Sequence, residues 1–393
     1  MKRKILFFVK LWYNVLVRFF RIEIMQGRQK VVIAIAAMAV AGIIVYFSFG
    51  RDAMRRAQVE RLTIENTGAT PASTAPANTG DVSSISGVAC EHWNRRPISV
   101  MQPADFSARP AAGLSLADMV FEMPVITATI NRLMAVYQCA LPTEAGAVRS
   151  SRHDFLHIAK SLDTIYVHWG GSHFALDKLK EGILDNIDCT GAAGNSAGSD
   201  VCYRAEQKAG MKTEDTSRVN VEKAFARSEA LGYGLTNTFS GYPHKAEAEL
   251  ADRPTSGHLR IGYPGKGEVE YAYDRESNTW KRIWGNVPDT DRNDGTRIAP
   301  KNVVALFVES EQIEGQYNNL NFGDPWFDQS VSGEAVYFID GKQTKGTWKK
   351  DKATLGSKLL LLDQNGAETQ FVPGQLWVNV VEPGTAFEWT AGS

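Results

Sequence analysis

The chain has 393 residues, 44% of them hydrophobic, and its 43 lysines and arginines nearly cancel 44 aspartates and glutamates, leaving a net charge of −1. That length admits one large domain or two modest ones beyond any membrane segment. The balanced charge argues against a nucleic-acid binder, which carries a marked basic excess. The balance fails only at the start, where Lys2, Arg3, Lys4, Lys10, Arg18, Arg21, Arg28 and Lys30 oppose the single acid Glu23. Within Ile5 to Phe20, Lys10, Asn14 and Arg18 fall four apart, a polar stripe on an apolar helix that suits the membrane interface.

Val31 to Phe49 carries no charge and has about the 20 residues a helix needs to cross a bilayer. The denser basic flank precedes it, which predicts a cytoplasmic N-terminus and an extracytoplasmic remainder. Ser48-Phe49-Gly50 resembles a signal-peptidase site, but the long basic region before it is unlike a cleaved signal, so an uncleaved single-pass anchor is expected. No cysteine lies near this segment. Asn66 to Gly87 is Thr, Ala, Ser, Pro, Asn and Gly with few large apolar residues, the composition of a flexible stalk. Folding is expected to begin near Gly87.

Cys90, Cys139, Cys189 and Cys202 all lie beyond the stalk. An even number in an oxidising compartment fits two disulfides, with three possible pairings. Cys90–Cys139 with Cys189–Cys202 is preferred, because the second pair closes the Gly/Ala/Ser/Asn loop from Thr190 to Ser199. No Cys-x-x-Cys supports a zinc site.

From Pro97 to about Leu250, strand candidates at 98–101, 132–139 and 164–168 alternate with helix candidates at 152–162, 173–181 and 219–231. After Pro254 the texture changes to short strands at 259–263, 269–273, 280–284, 303–309, 335–339, 358–362 and 376–381, with turns such as Asp340-Gly341 and Asn365-Gly366. The fold class expected is an α/β N-terminal domain followed by a mostly β C-terminal domain, preceded by one transmembrane helix and a flexible stalk. The boundaries are a basic segment 1–30, a transmembrane helix 31–49, a stalk 50–87, an α/β domain 88–250 and a mostly β domain 251–393.

Glu144 to Glu181 concentrates the polar residues of interest. Ser151 with Asp154 has capping-box spacing, Thr164 to His168 reads as a buried strand, and Gly170-Gly171-Ser172 leads into a helix. A strand that ends in glycines before a helix leaves N–H groups at a positive dipole end, which suits an anion. Arg132, Arg149, Arg152 and His168 are placed around that turn with Gly170, Gly171 and Ser172 as an anion-binding set, since clustered arginine forks match carboxylate or phosphate. The alternative is a network of ion pairs with Asp118, Glu122 and Asp154, in which Ser172 caps its helix.

His153 and His157 stand one helical turn apart, a spacing that can chelate metal. No glutamate occupies the position a zinc protease requires, so a solvated polar face is the expectation. Asp289 to Gly295 resembles a calcium loop with its glycine one place late, and reads better as an Asx-stiffened turn. Trp280, Trp284, Trp348 and Trp377 suit either sugar stacking or a sheet core. No Gly-x-Ser-x-Gly elbow is present.

Between Arg96 and the C-terminus the chain resembles the YerB-like family of bacterial envelope proteins, often lipoproteins, a domain of unknown function with N- and C-terminal parts. The residues that carry the resemblance are Arg96-Pro97-Ile98, Ala108-Arg109-Pro110, Gly113-Leu114-Ser115, Ala117-Asp118, Arg132-Leu133-Met134-Ala135, Gly146 to Arg152 and His168 with Gly170-Gly171-Ser172. Gly346 to Lys350 and Gly374 to Val378 extend it into the second half. It covers nearly everything from Cys90 onward. The chain departs from the family pattern at Ala128-Thr129 and Asn131, and at Met211-Lys212-Thr213, where relatives often carry Pro-His-Asn. The expectation is a membrane-anchored extracytoplasmic protein that binds an envelope component or a partner in the cell-wall machinery, a cell-wall polymer or an envelope protein. The alternative is an enzyme, a hydrolase or transferase, on an anionic envelope substrate. No cofactor, metal or nucleic acid is expected.

Overall fold

Runs such as MVFEMPVI at 119–126 and LWVNVV at 376–381 are apolar almost throughout, as strands covered on both faces must be. The computed structural model describes residues 81–392 apart from 127–129, 192–197, 265–266, 315–316, 321–330 and 352–353. The expected basic segment, spanning helix and most of the stalk lie outside the described residues, among which no helix is long and apolar enough to cross a membrane.

In chain order the elements are β1 (Ile98–Pro103), β2 (Met119–Ile126), β3 (Ile130–Tyr137), β4 (Ala145–Gly146), α1 (His153–Ser161), β5 (Ile165–His168), α2 (His173–Lys180), β6 (Asn186–Asp188), β7 (Cys202–Arg204), β8 (Ser217–Val219) and α3 (Val221–Ala230). There follow β9 (Gly257–Gly262), β10 (Val269–Asp274), β11 (Thr279–Trp284), β12 (Val287–Pro288), β13 (Asn302–Phe307), β14 (Ser310–Ile313), β15 (Tyr317–Leu320), β16 (Val331–Ile339), β17 (Lys342–Lys350), β18 (Leu360–Asp363), β19 (Leu376–Val381) and β20 (Ala386–Ala391). The described residues are thus mostly β with few helices.

Ten strands form one sheet in the order β18-β17-β16-β13-β19-β2-β3-β1-β5-β6. Its β1–β5–β6 end is parallel, as an α/β pattern predicts, but β3 runs antiparallel to both β1 and β2. β19 lies parallel between β13 and β2, so a strand from the end of the chain joins the two sequence halves. A second sheet, β12-β11-β10-β9-β20, alternates buried and half-buried residues in β9 and β10, the signature of one covered face.

The large sheet is therefore the middle of three layers. On one face Val100, Val120, Leu133, Val303 and Trp377 pack with Leu259, Tyr271, Trp280 and Trp284 of the second sheet and with Val221 and Ala224 of α3. On the other, Met101, Phe121, Met134, Val304 and Val378 pack with Phe155, Leu156 and Ile158 of α1 and with Ala175 and Leu179 of α2. The four tryptophans 280, 284, 348 and 377 are core residues, each no more than 2% exposed. Between the two sheets Glu122 of β2 meets Arg282 of β11 at 2.8 Å, and Arg282 also pairs with Asp289. Burial would lower the Arg282 pKa, but Glu122 and Asp289 outweigh it and hold the guanidinium above its ordinary value.

Several local expectations are corrected. Residues 81–87, assigned to the stalk, are packed onto the body: Ile85 is fully buried and Ser83 Oγ donates to Gln138 Oε1 at 2.7 Å. Isolated serines there find partners that composition cannot reveal. Ser151 does not cap α1; the N-cap is Arg152, without a side-chain bond, because Ser151 pairs with Gly171 and its hydroxyl accepts from Tyr166 at 3.1 Å. His153 and His157 are buried rather than solvated, and the His153 ring lies 5.4 Å from that of Phe174 in α2. The Asp289–Gly295 turn serves as a clasp: Asp291 accepts the N–H groups of Gly113 at 3.0 Å and Ser115 at 2.8 Å. The disulfides are Cys90–Cys139 and Cys189–Cys202, the preferred pairing.

Candidate functional site

The register of β3 sets Arg132 opposite Pro103 of β1 and Met123 of β2, at the end of the sheet from which the chain leaves β1 toward Asp105. Arg132 Nη1 lies 3.3 Å from Asp105 Oδ2. Arg149 approaches the same oxygen with Nε at 4.0 Å. Its other nitrogens donate to the Asp215 carboxylate and the Glu214 carbonyl. The Arg149 backbone is held as well: its N–H donates to Met101 O at 2.8 Å and its carbonyl accepts from Trp169 at 3.0 Å. Arg152 is half-buried and donates to Ser151 O at 3.0 Å. Burial lowers the Arg132 pKa to about 10; Asp105 opposes that shift, and the neighbouring charges of Arg152 and Arg149 add to it.

The three arginines are thus brought together, but their carboxylates are Asp105 and Asp215. The acids expected from sequence work elsewhere. Asp118 accepts the N–H groups of Gln138 at 2.7 Å and Cys139 at 3.0 Å, Glu122 pairs with Arg282, and Asp154 faces His153 at 3.5 Å.

His168 closes β5 with no exposed surface. Its Nδ1 is 2.8 Å from Gly170 O and its Nε2 is 3.3 Å from Asn186 Oδ1. Burial lowers its pKa, with Asp188, the Gly170 carbonyl and Asn186 opposing. The turn that follows is equally engaged. Gly170 N–H donates to Asp188 Oδ1 at 3.1 Å and Ser172 N–H to Ser151 O at 3.2 Å. Ser172 Oγ caps α2 by accepting from Ala175 at 3.3 Å. A Cβ on Gly171 would stand 3.1 Å from Leu176 and 3.2 Å from Ser151 Cβ. Two of the N–H groups available to an anion are therefore used inside the protein, and the turn docks α2 against the strand that carries His168.

A depression of about 150 Å³ is lined by Asp105, Phe106, Ile130, Asn131, Tyr263 and Pro264, drawn from both halves of the sequence. Phe106 is 48% exposed, and the Asp105 side chain is 27% exposed. Asn131 is buried, and its Nδ2 has no hydrogen-bond partner among the described residues. Tyr263 is fixed by its hydroxyl, which donates to Val380 O at 2.9 Å.

Sequence reasoning missed Asp105, Asp215, Asn186 and Asp188. Asp215 lies in the short turn Thr213–Thr216, beside the departure at Met211-Lys212-Thr213. Asp105 lies in a short run between recognisable motifs and carries no local signature.

Comparison with known proteins accords with this architecture. Residues 85–233 match the family described as "Protein of unknown function (DUF3048) N-terminal domain", and residues 259–378 match its C-terminal domain. The chain is 28% identical over 291 residues to the Bacillus subtilis (strain 168) protein named "Putative lipoprotein YerB", covering 73% of this chain and 81% of that protein. The crystal structure of YerB protein from Bacillus subtilis has the same fold, with a TM-score of 0.65 at 24% identity, covering 78% of this chain and 99% of that one. With both domains matched in order and the fold shared, the chain belongs to the YerB-like family.

Proposed function

We propose that this is a membrane-anchored extracytoplasmic protein that binds a component of the cell envelope, at the depression beside Asp105. The lipoprotein description of its relative supports an envelope location, and the uncharged run from Val31 to Phe49 supports a spanning anchor with the N-terminus inside. The observation that carries the binding role is the division of labour at the arginine cluster. Arg132 and Arg149 both pair with Asp105, which fixes a carboxylate in the wall of a hollow. Fixed polar groups in a concave site orient a ligand and give it specificity.

The enzyme reading required His168 as acid or base. A fully buried imidazole with both ring nitrogens engaged suits positioning of the Gly170 turn better than proton transfer to a substrate.

The test is thermal unfolding of the full chain in detergent against separated envelope fractions: wall glycan, wall peptide, anionic polymer and lipid. Binding raises the unfolding midpoint, because a ligand stabilises the state it binds. The expected result is a rise with one fraction and no change in that fraction's covalent structure. Turnover of any fraction, or no rise with any, would sink the proposal.

A further inference from the structure

β20 is a sheet edge of six residues, paired with β9 on one side and without a strand on the other among the described residues. It is the one described strand of more than four residues with a single neighbour. A bare edge offers its outward N–H and C=O groups to any extended chain, and proteins blunt such edges with proline, lysine, shortness or a cover. The other edges of the two large sheets are blunted. β12 has two residues and includes Pro288, and β6 has three residues. β18 is covered, since Leu362 bridges to Glu368 and Leu361 O accepts from Thr369 at 2.8 Å. β20 carries neither proline nor lysine. From that contrast we infer that β20 is an interface, at which a second copy of this chain adds its own β20, antiparallel, about a two-fold axis.

The blunted edges select this occupant. A copy that presented β12 would bring Pro288, which has no N–H to donate, and β6 is too short to match six residues. Another β20 matches in length and is equally open. Pairing like with like also uses up both edges, so assembly closes at two.

Side chains then fix the register. Phe387 and Trp389 face the core, with ring centroids 5.2 Å from Phe307 and 5.0 Å from Phe338 respectively, yet both stay partly exposed. Glu388 lies on the opposite face, exposed and 2.8 Å from Arg260. A pair centred on Glu388 would set two carboxylates directly opposite each other, which is destabilising. Centring on Phe387 leaves only Ala386 to Glu388 paired within the strands. Centring on Trp389 pairs Phe387 through Ala391 and brings the two Trp389 side chains opposite each other, an aromatic cross-strand pair. It also places each Glu388 opposite Thr390 of the other copy, so no like charges meet.

The test is sedimentation of the full chain in detergent over a concentration series, with hydrogen exchange at Ala386–Ala391 to locate the contact. The expected result is a monomer–dimer equilibrium whose dimer slows exchange at β20. Thr390 is exposed, so its substitution leaves the fold in place. Thr390→Lys meets Glu388 twice per dimer and should tighten Kd roughly 2- to 30-fold, while Thr390→Glu should loosen it by a similar factor. The double variant Glu388→Lys, Thr390→Glu restores opposite charges across the pair and should recover the dimer lost in Thr390→Glu. A dimer held through the N-terminal segment would ignore all three changes. A monomer at every concentration, or a dimer that the two Thr390 variants fail to shift in opposite directions, overturns the proposal.

Discussion

Asp215 is 1% exposed and Arg149 is 7% exposed, so neither charge has water to fall back on. Removing one member of a buried pair strands the other, which costs about 3–5 kcal/mol, whereas replacing both with apolar groups of similar volume is often close to neutral. Arg149→Ala is therefore expected to lower the free energy of urea unfolding by about 3–5 kcal/mol, and the double variant Arg149→Met, Asp215→Leu by clearly less. Equal losses in the two proteins would mean that Arg149 is held by something other than charge. Two histidines give a pH dependence with a fixed sign. Burial lowers His168, and lowers His244 to about 4, from an ordinary 6.5. Above pH 6.5 both are neutral folded or unfolded and cost nothing. Below it the unfolded chain takes up protons that the folded chain refuses, so stability falls as pH drops toward 4. For His244 the loss reaches about 3 kcal/mol. The unfolding midpoint should fall less steeply between pH 6.5 and 4.5 in His244→Gln than in the parent, and identical slopes would remove His244 from the account.

Among the elements, the strength of the hydrophobic signal decided what could be read. The helices at 152–162, 173–181 and 219–231 were legible to within two residues because each repeats its apolar face at helical spacing, and Ser172 and Asn220 cap two of them. The hairpin at Asp340-Gly341 was legible because both residues take the positive φ that its tight turn demands. β2 escaped notice because Glu122 and Pro124 interrupt its apolar run, and only the structure reveals that Glu122 is matched by Arg282 from another sheet. The buried histidines of α1 were misread because tertiary packing, such as that of His153 against Phe174 of α2, decides whether a helix face meets water, and spacing along one helix does not encode it. The disulfides add covalent links to elements that packing and hydrogen bonds already hold. Cys90–Cys139 closes a separation of 49 residues and fastens the arm at 81–90, while Cys189–Cys202 closes 13. Loop-closure entropy then assigns about 4 kcal/mol to the first and about 3 kcal/mol to the second. Cys90→Ser, Cys139→Ser should lower the midpoint more than Cys189→Ser, Cys202→Ser, and should speed hydrogen exchange at Ser83 to Ser86. The opposite ranking would show that native contacts, not chain entropy, govern these links.

Across the whole molecule, the question is whether the two sequence halves stand or fall together. Val378 of β19 is in register with Val304 of β13 on one side and Phe121 of β2 on the other. Both apolar layers contain residues from each half, and the described residues belong to one compact unit. A strand inserted in this way cannot leave without exposing two neighbours, so partial unfolding of either half uncovers apolar surface in the other. Arg282 gives a means of testing this, because it belongs to β11 yet neutralises Glu122 of β2 in the opposite sheet. Arg282→Ala leaves Glu122 buried without its cation and should cost about 3–5 kcal/mol. If the body unfolds as one unit, that loss appears everywhere. Peptides covering β1 to β3 and peptides covering β9 to β11 should both exchange roughly 10²- to 10³-fold faster in the variant, under conditions where global opening limits exchange. Acceleration confined to β9–β11 would mean that the shared sheet does not couple the halves, and that β19 separates from β2 before the first half opens.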